Sequence, residues 1–205
     1  MNENEKMLAG KLYDPSCDGL DVKRAKAHAL CTEYNATFET ETEKRAAILK
    51  ELLPNAASGC YVQGPIFCDY GEYLYIGENF YANFNFTALD CAPIRIGKNA
   101  FFGPNVTIVT PVHPFRWQDR NMRKKPNGAP YDLEYAKPIE IGDNCWLASN
   151  VVVIGGVKIG NGCVIGAGSV VTRDIPDNSL AVGNPARVVR KITDADAVEL
   201  KKELY

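Results

Sequence analysis

IGDNCWLASNVVVIGGVKIGNGCVIGAGSVV, residues 141–171, returns a large aliphatic at every sixth position: Ile141, Leu147, Val153, Ile159, Ile165 and Val171. A helix brings its apolar face round every 3.6 residues and a half-buried strand every second residue, so neither produces this spacing. A hexapeptide β-helix produces it by construction. Each hexapeptide then makes one short strand and a corner, and three of them close a triangular coil with the first aliphatic pointing inward. Successive coils stack at ~4.8 Å, so the inward side chains form apolar columns while backbone groups pair with the coil above or below. Asn144, Asn150, Gly156, Gly162 and Gly168 hold the fourth position of the units. Asn and Gly tolerate positive φ, which suits a tight corner.

Outward from this stretch, Ile76-Gly77, Ile96-Gly97 and Phe102-Gly103 open an earlier, less regular tract of the same repeat. Between the tracts, at 110–138, the period disappears and Arg, Lys, Pro, Trp and Asn take over, the mark of a loop thrown out of the solenoid. Two amphipathic segments precede the repeat. The first carries Val22, Ala25, Ala29 and Leu30, and the second Ile48, Leu49, Leu52 and Leu53, with a Thr40/Glu43 capping box before it and Pro54-Asn55 after it. They are expected to cover the first coil, because a bare solenoid end is an aggregation-prone strand edge. Thr193 and Asp196 form a second capping box, before a last helix with Ala197, Leu200 and Leu204 on one face. The expected domains are an N-terminal helical cap at 1–57, a β-helix at 58–192 with its inserted loop, and a C-terminal helix at 193–205.

The chain has 205 residues, 46% hydrophobic and 23% charged, with a net charge of −2. That is enough length for one continuous core, and no global charge favours nucleic acid or an acidic membrane. The N-terminal MNENEKMLAG lacks the apolar run of a signal peptide and no stretch approaches the ~20 apolar residues of a membrane span, so a cytoplasmic protein is expected. One basic cluster, 116–125, reads either as a solvated loop or as a rim that helps hold an anionic ligand. The seven cysteines lack CxxC or metal-ligand spacing, and Cys145 and Cys163 occupy the small fifth position of the repeat as buried thiols.

Only two histidines are present. His28 lies within the first amphipathic segment. His113 stands in TPVHP, where the repeat breaks into the loop, between prolines that restrict the backbone on both sides. A side chain that titrates near neutrality, placed where a cleft should open, is the candidate general base.

MLAGKLYDPS, CDYGEYLYIGENFYANFNFTALDCAPIRIG, TPVHP and AVGNPARVVRKI, together with the hexapeptides, resemble the maltose and galactoside O-acetyltransferase family from Met7 to Ile192. CDYG and PIRIG lean towards the maltose branch. The resemblance implies a left-handed parallel β-helix and a homotrimer with sites between subunits. It also implies acetyl-CoA as co-substrate, a sugar acceptor, and neither a metal nor a covalent acyl-enzyme. On this alignment His113 matches the catalytic histidine and Asn83 the residue that positions the acceptor hydroxyl. Asp69 and Asp90 match acceptor-side positions; Ser149, Ala167, Thr172 and Arg187 match acetyl-CoA positions, and Trp146 an apolar wall near the thioester arm. Family analogy puts the Ser149 N–H at the oxyanion. For the trimer contact, Val151, Val152 and Val157 are the expected apolar contributors.

Two departures stand out. RWQDRNMRKKPNG lengthens the loop after His113, and where relatives carry an acceptor-side aspartate after LY this chain offers Asp14 or Asp18, the latter also a possible helix cap. Zinc hydration chemistry on the same fold needs three histidines, one more than the chain has. Galactosides or a polysaccharide precursor remain alternative acceptors, and a non-catalytic β-helix binding module remains the alternative class.

Overall fold

The computed structural model describes residues 1–17 and 19–204: a mainly β chain wound into a solenoid of about six turns behind three helices. Ile141, Leu147, Val153, Ile159, Ile165 and Val171 all point inward and are each no more than 3% exposed. Burying one such side chain stabilises the fold by about 1.5–3 kcal/mol. Ile76, Ile96 and Phe102 extend the same core downward.

Three largely parallel sheets form the three faces of the coil. The first runs through Tyr61–Val62, Tyr81–Ala82, Phe101–Phe102, Trp146–Leu147, Val164–Ile165 and Ser179–Val182. Its outward residues stack in register as Tyr61, Tyr81, Phe101 and Trp146, making an aromatic face with ring centroids 5.9 Å and 5.2 Å apart over the first three. The second runs through Ile66–Cys68, Phe86–Leu89, Thr107–Val109, Val152–Ile154 and Val170–Val171, and presents Phe67, Thr87, Thr107, Val152 and Val170. On the third face Arg95 lies 4.4 Å over the Tyr75 ring and Lys158 pairs with Glu140 at 3.1 Å. Alternating charge suits solvent; the other two faces carry apolar groups that are exposed or half-exposed among the described residues.

Asn144, Asn150, Gly156, Gly162 and Gly168 all adopt left-handed φ, between 58° and 87°, as their place in the repeat predicts. Asparagine amides bond from coil to coil at these corners, Asn85 to Asn105 at 2.9 Å and Asn105 to Asn150 at 3.0 Å. In the later tract register partners are eighteen residues apart, Trp146 to Val164. In the earlier tract Tyr61, Tyr81 and Phe101 are twenty apart. The extra residues sit between the second and third faces, in 69–73 and 90–93, which is why the earlier repeat reads less cleanly.

The cap consists of α1 (Glu3–Leu8), α2 (Leu20–Asn35) and α3 (Thr42–Leu52). Its side chains replace the missing coil. Buried Arg45 donates to the Val62 and Gln63 carbonyls, both at 2.9 Å, and Asn35 both donates to and accepts from the Ile66 backbone. The first strand edge is therefore satisfied rather than left as a template.

Several sequence expectations differ from the structure. The buried stripe of α2 is Leu20, Ala27, Cys31 and Tyr34, while Val22 is 68% exposed and Ala25 and Ala29 face outward. The expected Thr40/Glu43 box does not form: Glu41 is the N-cap of α3 and its carboxylate accepts instead from Phe38 N–H at 2.7 Å. Thr193 and Asp196 do make their capping box, but three short 3-10 turns follow in place of the expected C-terminal helix, with Leu200 and Leu204 each 65% exposed. The strand edge of the last coil is paired instead by Arg187–Lys191, which runs antiparallel to Ser179–Val182. Val151 and Val157 belong to the core, leaving Val152 alone of that trio facing out. Asp18 lies outside the described residues. Among those described, no helix is long and apolar enough to cross a membrane.

Candidate functional site

The strand register distributes the candidate residues over two different corners of the coil. At the corner between the aromatic and threonine–valine faces, backbone hydrogen bonds stack Asn83 on Phe102, Gly103 on Leu147, Asn150 on Pro104, Ala148 on Ile165 and Gly168 on Ser149. Asn83, Ser149 and Ala167 therefore climb one corner, with the coil of Gly103 lying between the first two. Trp146, 53% exposed, flanks this column on the aromatic face. Arg187 extends it: Arg187 pairs with Val182, whose side chain covers Gly166.

This corner has the chemistry to receive a thioester ligand. Among the described residues Ser149 N–H donates to no backbone carbonyl. A Cβ at Gly103 would lie 2.8 Å from that nitrogen, so the glycine keeps the space beside it open. Arg187 donates through Nη1 to Ala186 O at 2.8 Å and is otherwise exposed, leaving guanidinium N–H groups for an anion.

The other candidates gather at the corner between the threonine–valine and charged faces. Asp69, Asp90, the long loop and Thr172 all leave the second sheet there. His113 follows Pro111–Val112, which pairs antiparallel with Tyr135–Ala136 to form a rigid stem for the loop. The imidazole is 48% exposed, with Nδ1 4.0 Å from Asp132 Oδ2 and Nε2 3.7 Å from Glu134 Oε2. Asp132 and Glu134, two residues apart, thus lie against different nitrogens of the ring. Asp69 is half-buried, accepts from Cys91 Sγ at 3.3 Å and lies 3.9 Å from the otherwise exposed His28.

Asp90 departs from its expected acceptor-side role. It is fully buried, and its two oxygens accept the N–H groups of Tyr70 at 2.8 Å and Tyr73 at 3.1 Å, where burial raises its carboxyl to about 6. It holds the corner together and shows no edge to a ligand. Asp14 is also occupied, pairing with Lys125 at 2.6 Å, while Lys125 also donates to Cys17 Sγ at 2.8 Å. Burial pulls the Asp14 carboxyl up, but the bonds from Lys125 and Ser16 outweigh it and hold it at about 2. The inserted loop is thus clipped to the N-terminal arm, with Phe115, Trp117 and Met122 exposed along it.

Sequence reading missed Glu134 and Tyr13. Glu134 is 9% exposed, and its Oε1 accepts the Tyr13 hydroxyl. The two backbones also bridge, with Tyr13 N–H to Glu134 O at 2.9 Å and the reverse bond at 3.2 Å. A contact spanning more than a hundred residues leaves no local signal.

His113 and Asn83 do not meet within one protomer. The threonine–valine face separates them, about five extended residues or roughly 16 Å. Among the described residues no three His, Cys, Asp or Glu side chains cluster as metal ligands.

Residues 6–56 match the maltose acetyltransferase hexapeptide capping motif, 93–113 a hexapeptide repeat of succinyl-transferase, and 138–173 the six-repeat bacterial transferase hexapeptide. The galactoside O-acetyltransferase of Escherichia coli (strain K12) is 42% identical over 196 residues, 96% of this chain and 92% of its own length. A solved galactoside acetyltransferase in complex with coenzyme A aligns with a TM-score of 0.88 at 41% identity, over 96% of this chain and 94% of that one. A maltose O-acetyltransferase from Clostridium difficile 630 aligns with a TM-score of 0.81 at 42% identity, over 95% and 99%. The two branches match at nearly the same identity, 41% and 42%, and the galactoside structure has the higher TM-score.

Proposed function

The chain belongs to the hexapeptide-repeat family of galactoside and maltose O-acetyltransferases, and from that premise we propose that it moves an acetyl group from acetyl-CoA to a sugar hydroxyl in a trimer. The observation that carries the reading is the division of the site between two corners. A chain with two complementary half-sites and two uncovered faces meets its copies through a heterologous contact. Such a contact closes into a ring when the rotation allows, and the triangular coil suits three. Each site then takes His113, Asp69 and Thr172 from one protomer and Asn83, Trp146, Ser149, Ala167 and Arg187 from the next.

In the reaction, His113 takes the proton from the acceptor hydroxyl as its oxygen attacks the thioester carbonyl, because an alcohol is too weak an acid to attack unaided. Asn83 orients that hydroxyl. The unpaired Ser149 N–H meets the oxyanion as it forms; one preorganised donor of this kind is worth about 2.7–4 kcal/mol. Protonated His113 returns the proton to the departing sulfur, so sugar hydroxyl and acetyl-CoA become acetyl ester and CoA thiol with no net acid or base. Acetyl-CoA supplies the activated acyl group, and Arg187 pairs with one of its phosphates.

Maltose or glucose is the acceptor we place first, on the CDYG and PIRIG segments; the E. coli relative's name favours galactosides as the second. Following CoA release from acetyl-CoA against a panel of neutral, amino and acidic sugars tests the reading. Release with maltose or glucose well above the sugar-free rate is the expected result, and no release with any sugar would remove the function.

A further inference from the structure

We infer that Asn127 is a modification site: its side-chain amide cyclises onto the backbone nitrogen of Gly128 and reopens as isoaspartate or aspartate, which loosens the clip between the inserted loop and the N-terminal arm. This goes beyond acetyl transfer, and only its last consequence, on the acceptor, rests on the proposed function.

The chemistry needs an asparagine whose following residue leaves the peptide nitrogen open to approach, and glycine does so because it has no Cβ. Only Asn127 and Asn161 precede a glycine, and they stand in opposite settings. Asn161 is locked between coils. Its N–H donates to Asp177 Oδ1 at 2.8 Å, its Oδ1 accepts Asp143 N–H at 2.9 Å, and its carbonyl accepts Asn178 N–H at 2.7 Å. The Gly162 nitrogen is committed to Asp143 O at 2.8 Å, and a Cβ there would meet Asn178 Oδ1 at 2.5 Å, so Cγ has no path to that nitrogen.

Asn127 is at the tip of the hairpin in which Arg123–Lys124 pairs with Pro130–Tyr131. Both Asn127 and Gly128 are exposed, Gly128 has a φ of 82°, and nothing lies within 4 Å of where its Cβ would stand. Among the described residues neither the N–H nor the carbonyl of Asn127 has a backbone partner. Its Oδ1 accepts Ala129 N–H at 3.1 Å, which draws electron density from Cγ and favours attack there. Exposed loop tips are where such change concentrates.

In the first step the Gly128 nitrogen gives up its proton and bonds to Asn127 Cγ, while the Cγ–Nδ2 bond breaks and Nδ2 leaves, with a proton, as ammonia. Water then opens the cyclic imide. Opening at Cγ leaves aspartate; opening at the main-chain carbonyl leaves isoaspartate, with an added carbon in the backbone. The sum is amide plus water to carboxylate plus ammonium, with no oxidant or cofactor. Because the imide nitrogen has no proton, the bond from Gly128 N–H to Lys125 O at 2.8 Å, which closes the turn, is lost. That turn presents Lys125, whose N–H bonds Ala129 O at 2.9 Å and whose Nζ reaches Asp14 at 2.6 Å and Cys17 Sγ at 2.8 Å. The new carboxylate competes with Asp14 for the same ammonium, and the added backbone carbon keeps the turn from closing as before.

The test is to age the whole protein at mildly alkaline pH, where more of the peptide nitrogen is deprotonated, and to map its peptides by mass spectrometry against standards of each form. Asn127 should convert, with isoaspartate in excess, while Asn161 stays intact. Asn127→Gln should stay unmodified at that position, since glutamine must close a larger ring. In converted protein, amide hydrogen exchange over 123–131 should speed up by about fivefold or more. The acceptor KM should rise about two- to fivefold with kcat in place, matching Lys125→Ala. Aged Asn127→Gln should show neither change. Survival of Asn127 under conditions that convert a synthetic peptide of residues 124–131 overturns the site, and conversion of Asn161 at an equal rate overturns the structural reason for it. Converted protein with unchanged exchange overturns the link to the clip. Mapping and exchange use no substrate, so failure of the acetyl-transfer reading would remove the KM comparison alone.

Discussion

The two corners that flank the threonine–valine face are made from the same repeat and are built differently. At the aromatic corner every coil turns in the same way, with Asn85, Asn105, Asn150 and Gly168 in left-handed φ and one amide bonded to the next. Strict repetition there yields a straight column and a row of equivalent backbone groups, suited to an extended ligand. At the charged corner repetition fails: two extra residues per early coil bring in Asp69, Tyr70, Asp90 and Cys91, and the loop at 110–138 brings in His113, Asp132 and Glu134. On the proposed reading, regular register holds the donor side and departures from register hold the proton-transfer groups. A repeat cannot place three unlike side chains at one point, whereas an insertion can.

The largest effect should come from the irregular corner. His113→Ala is expected to lower kcat by about 10²–10⁴ with acetyl-CoA affinity within a few-fold, because proton transfer matters only on the way to the transition state. Stopped-time assays with saturating substrates check this, and retention of more than about a tenth of the turnover would break the assignment.

Next comes the regular corner. Gly103→Ala puts a Cβ 2.8 Å from Ser149 N, so that N–H must shift or be covered. A loss of about 10–100-fold in kcat is expected, short of the loss of an entire oxyanion donor and without loss of the trimer in sedimentation. An unchanged kcat would leave Ser149 N–H without a role.

Arg187→Glu tests the top of the same column. Calorimetry should show acetyl-CoA binding weakened by about tenfold or more, since a charge-assisted bond to an anion is lost and a repulsion gained. Unchanged affinity removes Arg187 from the site and shortens the donor column to Ser149 and Ala167.

The smallest effect belongs to the clip between loop and arm. Lys125→Ala should raise the acceptor KM about two- to fivefold and leave kcat in place. The Asp14 carboxyl is held at about 2, below its ordinary value of 3.8, so the clip is fully present above that ordinary value and is lost as the pH falls towards 2. The acceptor KM should therefore show no step from this pair between about pH 5 and 8. A step there would mean that another group controls the loop.

The sequence disclosed what repeats. Six aliphatics at one spacing declared the core, and asparagine or glycine at a fixed offset declared the corners, because both follow from local geometry. The loop was visible as loss of period, and His113 as a scarce residue type at its start. What stayed hidden depends on distant partners. The buried face of α2 uses Tyr34 and Cys31, chosen by what the first strand edge needs rather than by hydropathy. Glu39, Thr40, Glu41 and Thr42 offer competing starts for α3, and the Phe38 N–H decides among them. Asp90 reads as a ligand residue but is consumed by two backbone donors, and the Tyr13–Glu134 clamp joins the two ends of the chain's active corner without any motif.

The shared site is tested most directly by mixing two inactive proteins. His113→Ala spoils one corner and Asn83→Ala the other, so a trimer containing both has contacts in which an intact His113 corner faces an intact Asn83 corner. Unfolding and refolding an equal mixture should restore about a quarter of the wild-type activity per site, the share of contacts that join the two intact halves in the right order. Activity no greater than the average of the two variants alone would contradict a site built between protomers.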